Sequence, residues 1–462
     1  MELLLHQWGD WPELYRNTDK TEATEIVIIY SQMNYRGKLD TYQGSRQRTA
    51  IPPMGYNRTI YSSHYKEVPM VDPFIYHNPT KVYFGNDALS HLHEELPRWG
   101  KNALLIYGGG SIRENGIYDT IVEEIRKAGI SAYEISGVKP NPEMPLARQG
   151  ARFCRERGID LVIAAGGGSV IDTAKVIAGS ALYDGDSWDL VKSRAQISHA
   201  LPIMAIPTMA ATGSEMNSCA VITNPDTHEK LGWTTEALRP RVSFLSPKNT
   251  FTVPPAQTAY GSADILSHIL EVYLNRAEGF DAVDGFMESM MRSVIHWAPL
   301  AMEDGFHEEA RTNLLWDSEW AINDLIDRGH SVTWTCHALE HELSAFFPIP
   351  HGLGLAILTP AFMEYVLNEE TAPRLARFAV RVMGVKEGKN EIKTARKGIR
   401  KLRKFFTKSL YLPGRLSEIG LDDALFEDMA AHAMAWKSTD GILHGFYPLT
   451  EEDFVAIYKK AL

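Results

Sequence analysis

Strand-like and helix-like patterns alternate along this chain between residues 81 and 206, and this alternation narrows its possible folds more than any other feature. Strands that alternate with helices are joined by crossover connections, which produce a parallel sheet covered by helices. We therefore predict an α/β N-terminal domain built on a Rossmann-like, mostly parallel sheet. The predicted strands are Lys81–Phe84, Ala103–Tyr107, Ala132–Ile135, Ile159–Ala165 and Pro202–Ile206, and the predicted helices are Asp119–Ala128, Pro145–Arg157 and Val170–Ser180.

The pattern changes after Ser246, where three prolines precede a series of long helical segments with few β-branched runs. We predict a dinucleotide-binding α/β domain over residues 70–248 and an all-helical, metal-binding C-terminal domain over residues 249–462. Two such domains place a ligand in the cleft between them.

Residues 1–69 do not fit either pattern. They contain one strand-like run, Glu25–Tyr30, and a polar stretch with several prolines and glycines that resembles a loop or a disordered segment. Lys66–Val68 can be encoded by a purine-rich sequence like a bacterial ribosome-binding site, a few bases before Met70. We favour the hypothesis that residues 1–69 are a translated leader, with a genuine N-terminal extension as the alternative. Codons without an AGGAGG-like run would refute the leader hypothesis.

The bulk composition is that of an ordinary globular protein, with 44% hydrophobic and 23% charged residues among 462. The net charge of −11 argues against nucleic acid or an anionic membrane as a main partner. Three widely spaced cysteines, Cys154, Cys219 and Cys336, predict no disulfide framework and fit a reducing compartment. No run approaches the ~20 apolar residues of a membrane span. We predict a cytoplasmic enzyme.

Two glycine-rich turns between a strand and a helix predict a nucleotide site. Bare glycines let the backbone approach a phosphate, and a helix N-terminus offers free N–H groups and the positive end of its dipole. The earlier turn carries no acidic residue to bind a ribose 2′-hydroxyl, whereas Ser111 and Arg113 suit a 2′-phosphate, which favours NADP(H). A third polar turn fits either a ribose or pyrophosphate contact or a helix cap, and its pattern does not separate the two. The candidate cofactor-binding residues are Gly108, Gly109, Gly110, Ser111, Gly166, Gly167, Gly168, Ser169, Asp172, Lys175, Thr208, Thr212 and Ser214.

Two short segments carry the side chains of a candidate metal site. Asp264 and His268 are four residues apart, as are His337 and His341, so each pair shares one face of a helix. Imidazole nitrogens and carboxylate oxygens bind divalent first-row metals. Spacing alone favours the His337/His341 pair, since two histidines four apart are a frequent zinc arrangement. Prolines just before His351 end the helix and let that histidine return to the site. Any single histidine is more often structural, but the cluster favours a site.

In order and spacing, a set of motifs resembles the group III, iron-type alcohol dehydrogenases, nearest to their NADPH-dependent butanol dehydrogenase and aldehyde reductase branch. The resemblance covers residues 70–462, and the family pattern does not contain residues 1–69. The motifs are His77–Gly85, Gly108–Ser111, Val138–Pro142, Gly166–Asp172, Ala211–Glu215, Asp264 with His268, His337–Ser344 and Pro350–Gly352.

The resemblance implies a divalent ion, iron or zinc, bound one per chain by Asp264, His268, His337 and His351. It implies that His341 lies near the nicotinamide and is not a ligand, contrary to the spacing argument. Family members that select NAD carry Asp where this chain has Gly109, so the resemblance implies NADP(H). It also implies a homodimer paired through the N-terminal domain, on the fold shared with dehydroquinate synthase.

These inferences predict an NADP(H)-dependent alcohol dehydrogenase that interconverts aldehydes and primary alcohols, with His341 as the candidate proton relay. Two alternatives belong to other classes. One is a lyase of the dehydroquinate synthase type, which would need clustered basic residues near the metal, and the helical segments around Asp264 and His337 contain none. The other is a non-catalytic metal-binding protein, which would bind metal but no nicotinamide nucleotide.

Overall fold

A six-stranded sheet, parallel throughout, organises the first part of the chain. The computed structural model describes residues 71–276, 279–438 and 440–462. The predicted extension, with its run Glu25–Tyr30, lies outside these described residues, and so does Met70. The sheet order is β1-β8-β5-β4-β2-β3, and a separate antiparallel hairpin pairs β6 with β7. The strands are β1 Lys81–Phe84, β2 Asn102–Tyr107, β3 Ser131–Ile135, β4 Leu161–Gly166, β5 Ile203–Pro207, β6 Cys219–Asn224, β7 Glu229–Thr234 and β8 Val242–Leu245.

Helices pack on both faces of this sheet, as the α/β pattern predicts. Two separate apolar cores result, one on each face, because residues that alternate along β2 and β4 point to opposite sides. The helices are α1 Leu92–Trp99, α2 Ser111–Glu114, α3 Ile117–Ala128, α4 Met144–Arg157, α5 Gly168–Ser180 and α6 Ser187–Val191, with 3-10 turns at Ala88–His91, Glu236–Leu238 and Pro247–Thr250.

The strand order places a topological switch point between β2 and β4. From β2 the chain moves outward to β3, then returns to add β4 and β5 on the other side of β2. The carboxyl ends of the two central strands therefore diverge into a crevice, which is where open α/β sheets bind their ligands. The two glycine turns follow β2 and β4, so both lie at this crevice.

The second part of the chain is all-helical among the described residues, as predicted. Its helices surround one large apolar core of their own. They are α7 Pro255–Tyr273, α8 Asp281–Glu303, α9 Glu308–Trp320, α10 Thr335–Phe346, α11 His351–Tyr365, α12 Ala372–Arg381, α13 Glu391–Lys404, α14 Phe426–Lys437 and α15 Glu451–Ala461, with a π-helix at Phe405–Ser409 and a 3-10 turn at Leu416–Ile419. No described helix combines the length and the apolar character that crossing a bilayer requires.

The hairpin and β8 are absent from the sequence-based predictions. β7 carries Glu229, Lys230 and Gly232 among few apolar residues, a composition that does not suggest a strand. Burial nonetheless alternates along β6, because one face of the hairpin packs against the α/β domain and the other faces a cavity. The third polar turn, which follows β5, does not cap a helix, the second of the two roles considered for it. Residues 208–218 form bends and turns instead.

Two helices of the second part approach each other closely at Gly352. A Cβ atom built there would lie 2.0 Å from the backbone oxygen of Tyr260, so only glycine lets the start of α11 touch α7. We expect Gly352→Ala to lower the free energy of unfolding by about 1–3 kcal/mol, because overpacking forces the two helices apart. Thermal unfolding measures this. Gly285→Ala in α8, where a Cβ meets nothing within 4 Å, is the matched control and should raise stability slightly; equal melting temperatures for the two variants would contradict the prediction.

Candidate metal centre and nucleotide turns

Four side chains converge on one point between α7, α10 and α11. Asp264 and His268 lie one turn apart on α7, His337 lies in the first turn of α10, and His351 begins α11. The Nε2 atoms of His268, His337 and His351 lie 3.5, 3.9 and 3.6 Å from Asp264 Oδ1. Ligand atoms bound about 2.1 Å from one ion in a tetrahedron lie roughly 3.4 Å apart. The spacing of these four atoms therefore fits a single divalent ion.

Two of the converging atoms are buried without a hydrogen-bond partner among the described residues. They are Asp264 Oδ1 and His337 Nε2, on side chains that are almost fully buried. A buried polar atom left unsatisfied costs about 1–3 kcal/mol. Because a bound cation would satisfy both atoms at once, this observation supports the same conclusion as the distances.

Two carboxylates contact the Nδ1 atoms of two of the converging imidazoles. Glu271 Oε1 lies 3.2 Å from Nδ1 of His337 and accepts a hydrogen bond from its backbone N–H at 2.8 Å. Glu340 Oε2 is in direct contact with Nδ1 of His351. Such contacts fix the ring orientation and leave Nε2 free for an ion. Glu271 follows Asp264 by seven residues on the same helix face, a spacing that identifies it as a candidate from the sequence.

Burial controls the protonation of this cluster. It raises the pKa of Asp264 to about 7, although His337 opposes the shift. Burial also holds the pKa values of His268 and His351 well below the usual range, so both rings are neutral and keep a lone pair for a metal. Burial outweighs the positive charges of His337 and Lys230 at this carboxyl, and a divalent cation would add charge that favours its ionised form.

A second group of possible ligands, Glu340, His341 and His351, lies beside the first. Its cation position is already filled, because the Nζ atom of Lys230 lies 3.3 Å from both Glu340 Oε2 and His351 Nδ1. This arrangement favours an ion in the first group. His337 and His341, which spacing alone favours as a ligand pair, therefore belong to different groups.

The turn after β4 is built for close packing. A Cβ atom on Gly168 would lie 2.3 Å from the Thr212 side chain, so glycine is required where the third polar turn crosses the start of α5. A Cβ atom on Gly167 would meet only Met209 among the described residues, at 3.9 Å. Ser169, Thr212 and Ser214 line the adjoining cavity. Thr208 ties the two turns together, since its N–H donates to Gly166 O at 3.1 Å.

Asp172 and Lys175, two of the candidate nucleotide ligands, make their contacts inside the protein. Asp172 accepts from Ser214 Oγ at 2.6 Å and from the Val221 N–H at 3.0 Å. Lys175 is fully buried, and its ammonium donates to two oxygens of Asn217 and to Cys219 O at 2.7–2.9 Å. Both side chains brace the wall of the cavity, and a direct contact with a nucleotide stays a prediction for each.

The turn after β2 is open to solvent. A Cβ atom on Gly109 or Gly110 would meet nothing within 4 Å, and Gly110 has a φ of +131°, which suits glycine. Arg113 lies beside this turn, 2.8 Å from Glu134 Oε2 and 3.6 Å above the Tyr118 ring. Glu134, near the end of β3, is an acidic residue close to the turn that the sequence argument overlooked, and Arg113 neutralises it.

The two halves of the chain each match one part of a known family. A sequence model described as "Iron-containing alcohol dehydrogenase" matches residues 79–247, and one described as "Fe-containing alcohol dehydrogenase family, C-terminal" matches residues 258–462. The chain belongs to the iron-containing alcohol dehydrogenases. Membership identifies it as an oxidoreductase of alcohols and aldehydes that uses a nicotinamide cofactor and a divalent metal, which favours this class over the lyase and the non-catalytic alternatives.

Individual relatives and solved structures agree with this assignment. The chain is 44% identical to NADH-dependent butanol dehydrogenase A of Clostridium acetobutylicum, over 84% of this chain and 99% of the relative. It is 32% identical to NADPH-dependent aldehyde reductase YqhD of Escherichia coli, over 78% of this chain and 94% of the relative. The crystal structure of NADH-dependent butanol dehydrogenase A from Thermotoga maritima superposes with a TM-score of 0.81 at 36% identity, covering 85% of this chain and 99% of that one.

In this dehydrogenase, one cavity of about 490 Å³ joins the Asp264 cluster to the turn after β4. Its wall includes Trp334, whose ring stands edge-on to His268 and His337 at centroid distances of 6.0 and 5.3 Å. Trp334 adopts a left-handed backbone, with φ of +54°, immediately before α10. A strained residue that starts a ligand-bearing helix is common at functional sites.

His341 also lines this cavity. No other described residue hydrogen-bonds its ring, which lies 5.6 Å from the His351 ring and 6.2 Å from the His337 ring between centroids. Burial, followed by the charge of Lys230, holds its pKa well below the usual range. A neutral imidazole that faces the cavity next to the ion position can accept a proton at one nitrogen and donate from the other.

Proposed function

We propose that this dehydrogenase reversibly reduces small aldehydes such as butanal to primary alcohols, with NADP(H) as the preferred nucleotide and one Fe²⁺ or Zn²⁺ per chain. The observation that carries the proposal is the convergence of three imidazole Nε2 atoms on Asp264 Oδ1, beside a cavity that extends to the turn after β4. We further propose a homodimer, for which light scattering should give twice the chain mass of 51.8 kDa.

Asp264, His268, His337 and His351 would hold the ion in this proposal. When bound, a divalent ion polarises a carbonyl and stabilises the developing alkoxide, and a reduced nicotinamide supplies hydride. Side chains of the protein orient the ligands, exclude water and transfer the proton. Glu271 and Glu340 orient the ligand rings, the apolar face of Trp334 excludes water from the cavity that it lines, and His341 moves a proton to or from the substrate oxygen.

The turn after β4 would hold the pyrophosphate. The backbone N–H groups of Gly167, Gly168 and Ser169 begin α5, and their free donors and the helix dipole attract an anion. Thr212, which lines the same cavity, adds a hydroxyl group, whereas the hydroxyl of Ser214 already donates to Asp172. Gly108 to Ser111 would hold the adenosine ribose at the neighbouring strand end, across the switch point.

The preference for NADP(H) rests on the turn after β2. Gly109 presents bare backbone, and the acidic residue beside the turn, Glu134, already pairs with Arg113. A 2′-phosphate therefore meets a guanidinium and open space, with no free carboxylate to repel it. The relatives differ in their names, NADH-dependent for butanol dehydrogenase A and NADPH-dependent for YqhD, so the comparison of both nucleotides is the direct test.

The first experiment is the oxidation of NADPH, with NADH in parallel, by metal-reconstituted protein and butanal, before and after chelation. We expect consumption that favours NADPH and stops on chelation. Activity with NADH alone would retain the enzyme class and refute the nucleotide proposal. Consumption that survives complete removal of metal would refute the role given to the four ligands.

We expect His341→Gln to lower turnover by roughly 10²-fold, which is the lower end of the range of effects seen when a general acid–base group is removed. Bound metal should stay near one ion per chain. The ring lines the cavity but lies outside the Asp264 cluster, so its loss should affect proton transfer and not metal binding. Steady-state kinetics and metal analysis measure the two effects. His432→Gln is the control, because its ring pairs with Glu342 at 2.7 Å, apart from the ligand cluster. Loss of metal from the His341 variant would identify that residue as a ligand instead.

A further inference from the structure

Lys230 is a buried cation that reaches the metal-ligand cluster from the hairpin. It lies on β7 and is only 5% exposed. Its ammonium lies 3.1 Å from Asn141 Oδ1, 3.3 Å from Glu340 Oε2 and 3.3 Å from His351 Nδ1. A buried ammonium is costly unless opposite charge and acceptors surround it. These contacts identify a fixed position for the charge, unlike that of a surface lysine.

Asn141 extends this contact set to the residues just before the ligand helix. Its Oδ1 accepts from Lys230, and its Nδ2 donates to Ile349 O at 3.2 Å, two residues before His351. Asn141 has a φ of +51°, a conformation that asparagine tolerates better than most residues. One amide and one ammonium therefore join three segments, which are the hairpin, the loop after β3 and the start of α11.

The proton on His351 determines how Lys230 can act. For Nε2 to offer a lone pair to an ion, Nδ1 must carry the proton, and its acceptor is Glu340. Lys230 then cannot also donate to Nδ1, so its bonds go to Glu340 and Asn141. Glu340 is fully buried, and Lys230 is the cation that it contacts among the described residues.

We propose that Lys230 is a positioning residue for the metal centre, which holds Glu340 in place so that Glu340 fixes the ring of His351 with Nε2 toward the ion. The inference rests on the proposed function, since it assumes that His351 is a ligand. Nothing in the helical segments that carry the ligands reveals this lysine, because it comes from the other half of the chain. Residues behind a metal ligand typically change metal affinity by about 10–100-fold when removed.

The test measures metal binding, so it does not depend on turnover. Zn²⁺ is titrated into metal-free protein in competition with a chromophoric chelator, and Co²⁺ absorption bands report the ligand geometry. We expect Lys230→Met to weaken Zn²⁺ binding by about 10–100-fold and to shift the Co²⁺ bands. Lys230→Arg, which keeps the charge, should restore part of the affinity. Glu340→Gln should weaken Zn²⁺ binding by a similar factor. The double variant Glu340→Gln/Lys230→Met should lose little more affinity than Glu340→Gln alone, because Lys230 acts on His351 through Glu340.

Lys192→Met is the matched control. Lys192 is a half-buried lysine that pairs with Glu229 of the same hairpin at 2.6 Å, without contacting the ligand cluster. It should bind Zn²⁺ as the unaltered protein does. Wild-type Zn²⁺ affinity and Co²⁺ bands in Lys230→Met would overturn the proposal, and so would an equal loss in Lys192→Met. Should Lys230→Met not fold, Lys230→Gln is judged by the same two readouts. Failure of the unaltered protein to bind Zn²⁺ or Co²⁺ would instead refute the proposed metal site.

Discussion

Asp264→Asn should lower the rate of aldehyde reduction by roughly 10³-fold or more and deplete the bound metal. The carboxylate oxygen lies 3.5–3.9 Å from three imidazole Nε2 atoms, so it is the anionic member of the proposed ligand set. An amide oxygen keeps the shape but loses the charge. A metal acting as a Lewis acid supplies several kcal/mol to the transition state, and ~4 kcal/mol corresponds to about 10³-fold in rate. NADPH oxidation and metal content per chain are the measurements.

Asp317→Asn is the control for this substitution. Asp317 lies on α9, and burial raises its pKa to about 7, as it does for Asp264, but no imidazole of the described residues pairs with it. Its replacement should leave metal content and rate unchanged. An Asp264→Asn protein that keeps one ion per chain and full activity would show that the ion is bound elsewhere.

Gly109→Asp should reverse the nucleotide preference. The new carboxylate would stand at the open turn after β2, where it can accept hydrogen bonds from a ribose 2′-hydroxyl but repels a 2′-phosphate. Like charges brought together cost several kcal/mol, so we expect the ratio of kcat/KM for NADPH to that for NADH to fall by roughly 10²-fold. Because nothing lies within 4 Å of the added Cβ, the substitution should not disturb the fold.

Gly109→Ala separates charge from bulk at the same position. It adds the same Cβ without a carboxylate, so its preference should remain that of the unaltered protein. An equal change in both variants would assign the effect to steric exclusion. An unchanged ratio in Gly109→Asp would mean that the 2′ position lies away from this turn, and Arg113 would lose its proposed role with it.

The sequence determined five strands of the parallel sheet, the three long helices between them and the pairs of candidate site residues carried by single elements. Period-2 and period-3.6 patterns are local, so the five strands and three helices predicted between residues 81 and 206 are present within one or two residues of their expected bounds. Spacing within a helix is equally local. Asp264 and His268 share a face because four residues make about one turn, whatever surrounds the helix.

Contacts between distant elements needed the tertiary structure or the family resemblance. His351 is 87 positions from Asp264, and only the close approach of α7 and α11 at Gly352 brings their side chains within 3.6 Å. Asp172 and Lys175 match a nucleotide motif in sequence, yet their hydrogen bonds go to the protein interior. The hairpin was missed for the same reason, since the cavity that its polar residues face does not exist until both halves pack.

Lys230 shows most clearly what the sequence alone does not predict. By composition it is one of many lysines, most of which are solvated. Its importance comes from burial against Glu340 and Asn141, which belong to two other elements. Patterns along a chain report which face of an element is apolar, because that depends on near neighbours. Which charge lies behind a candidate metal ligand depends on how whole elements pack, and in this protein only the tertiary structure showed it.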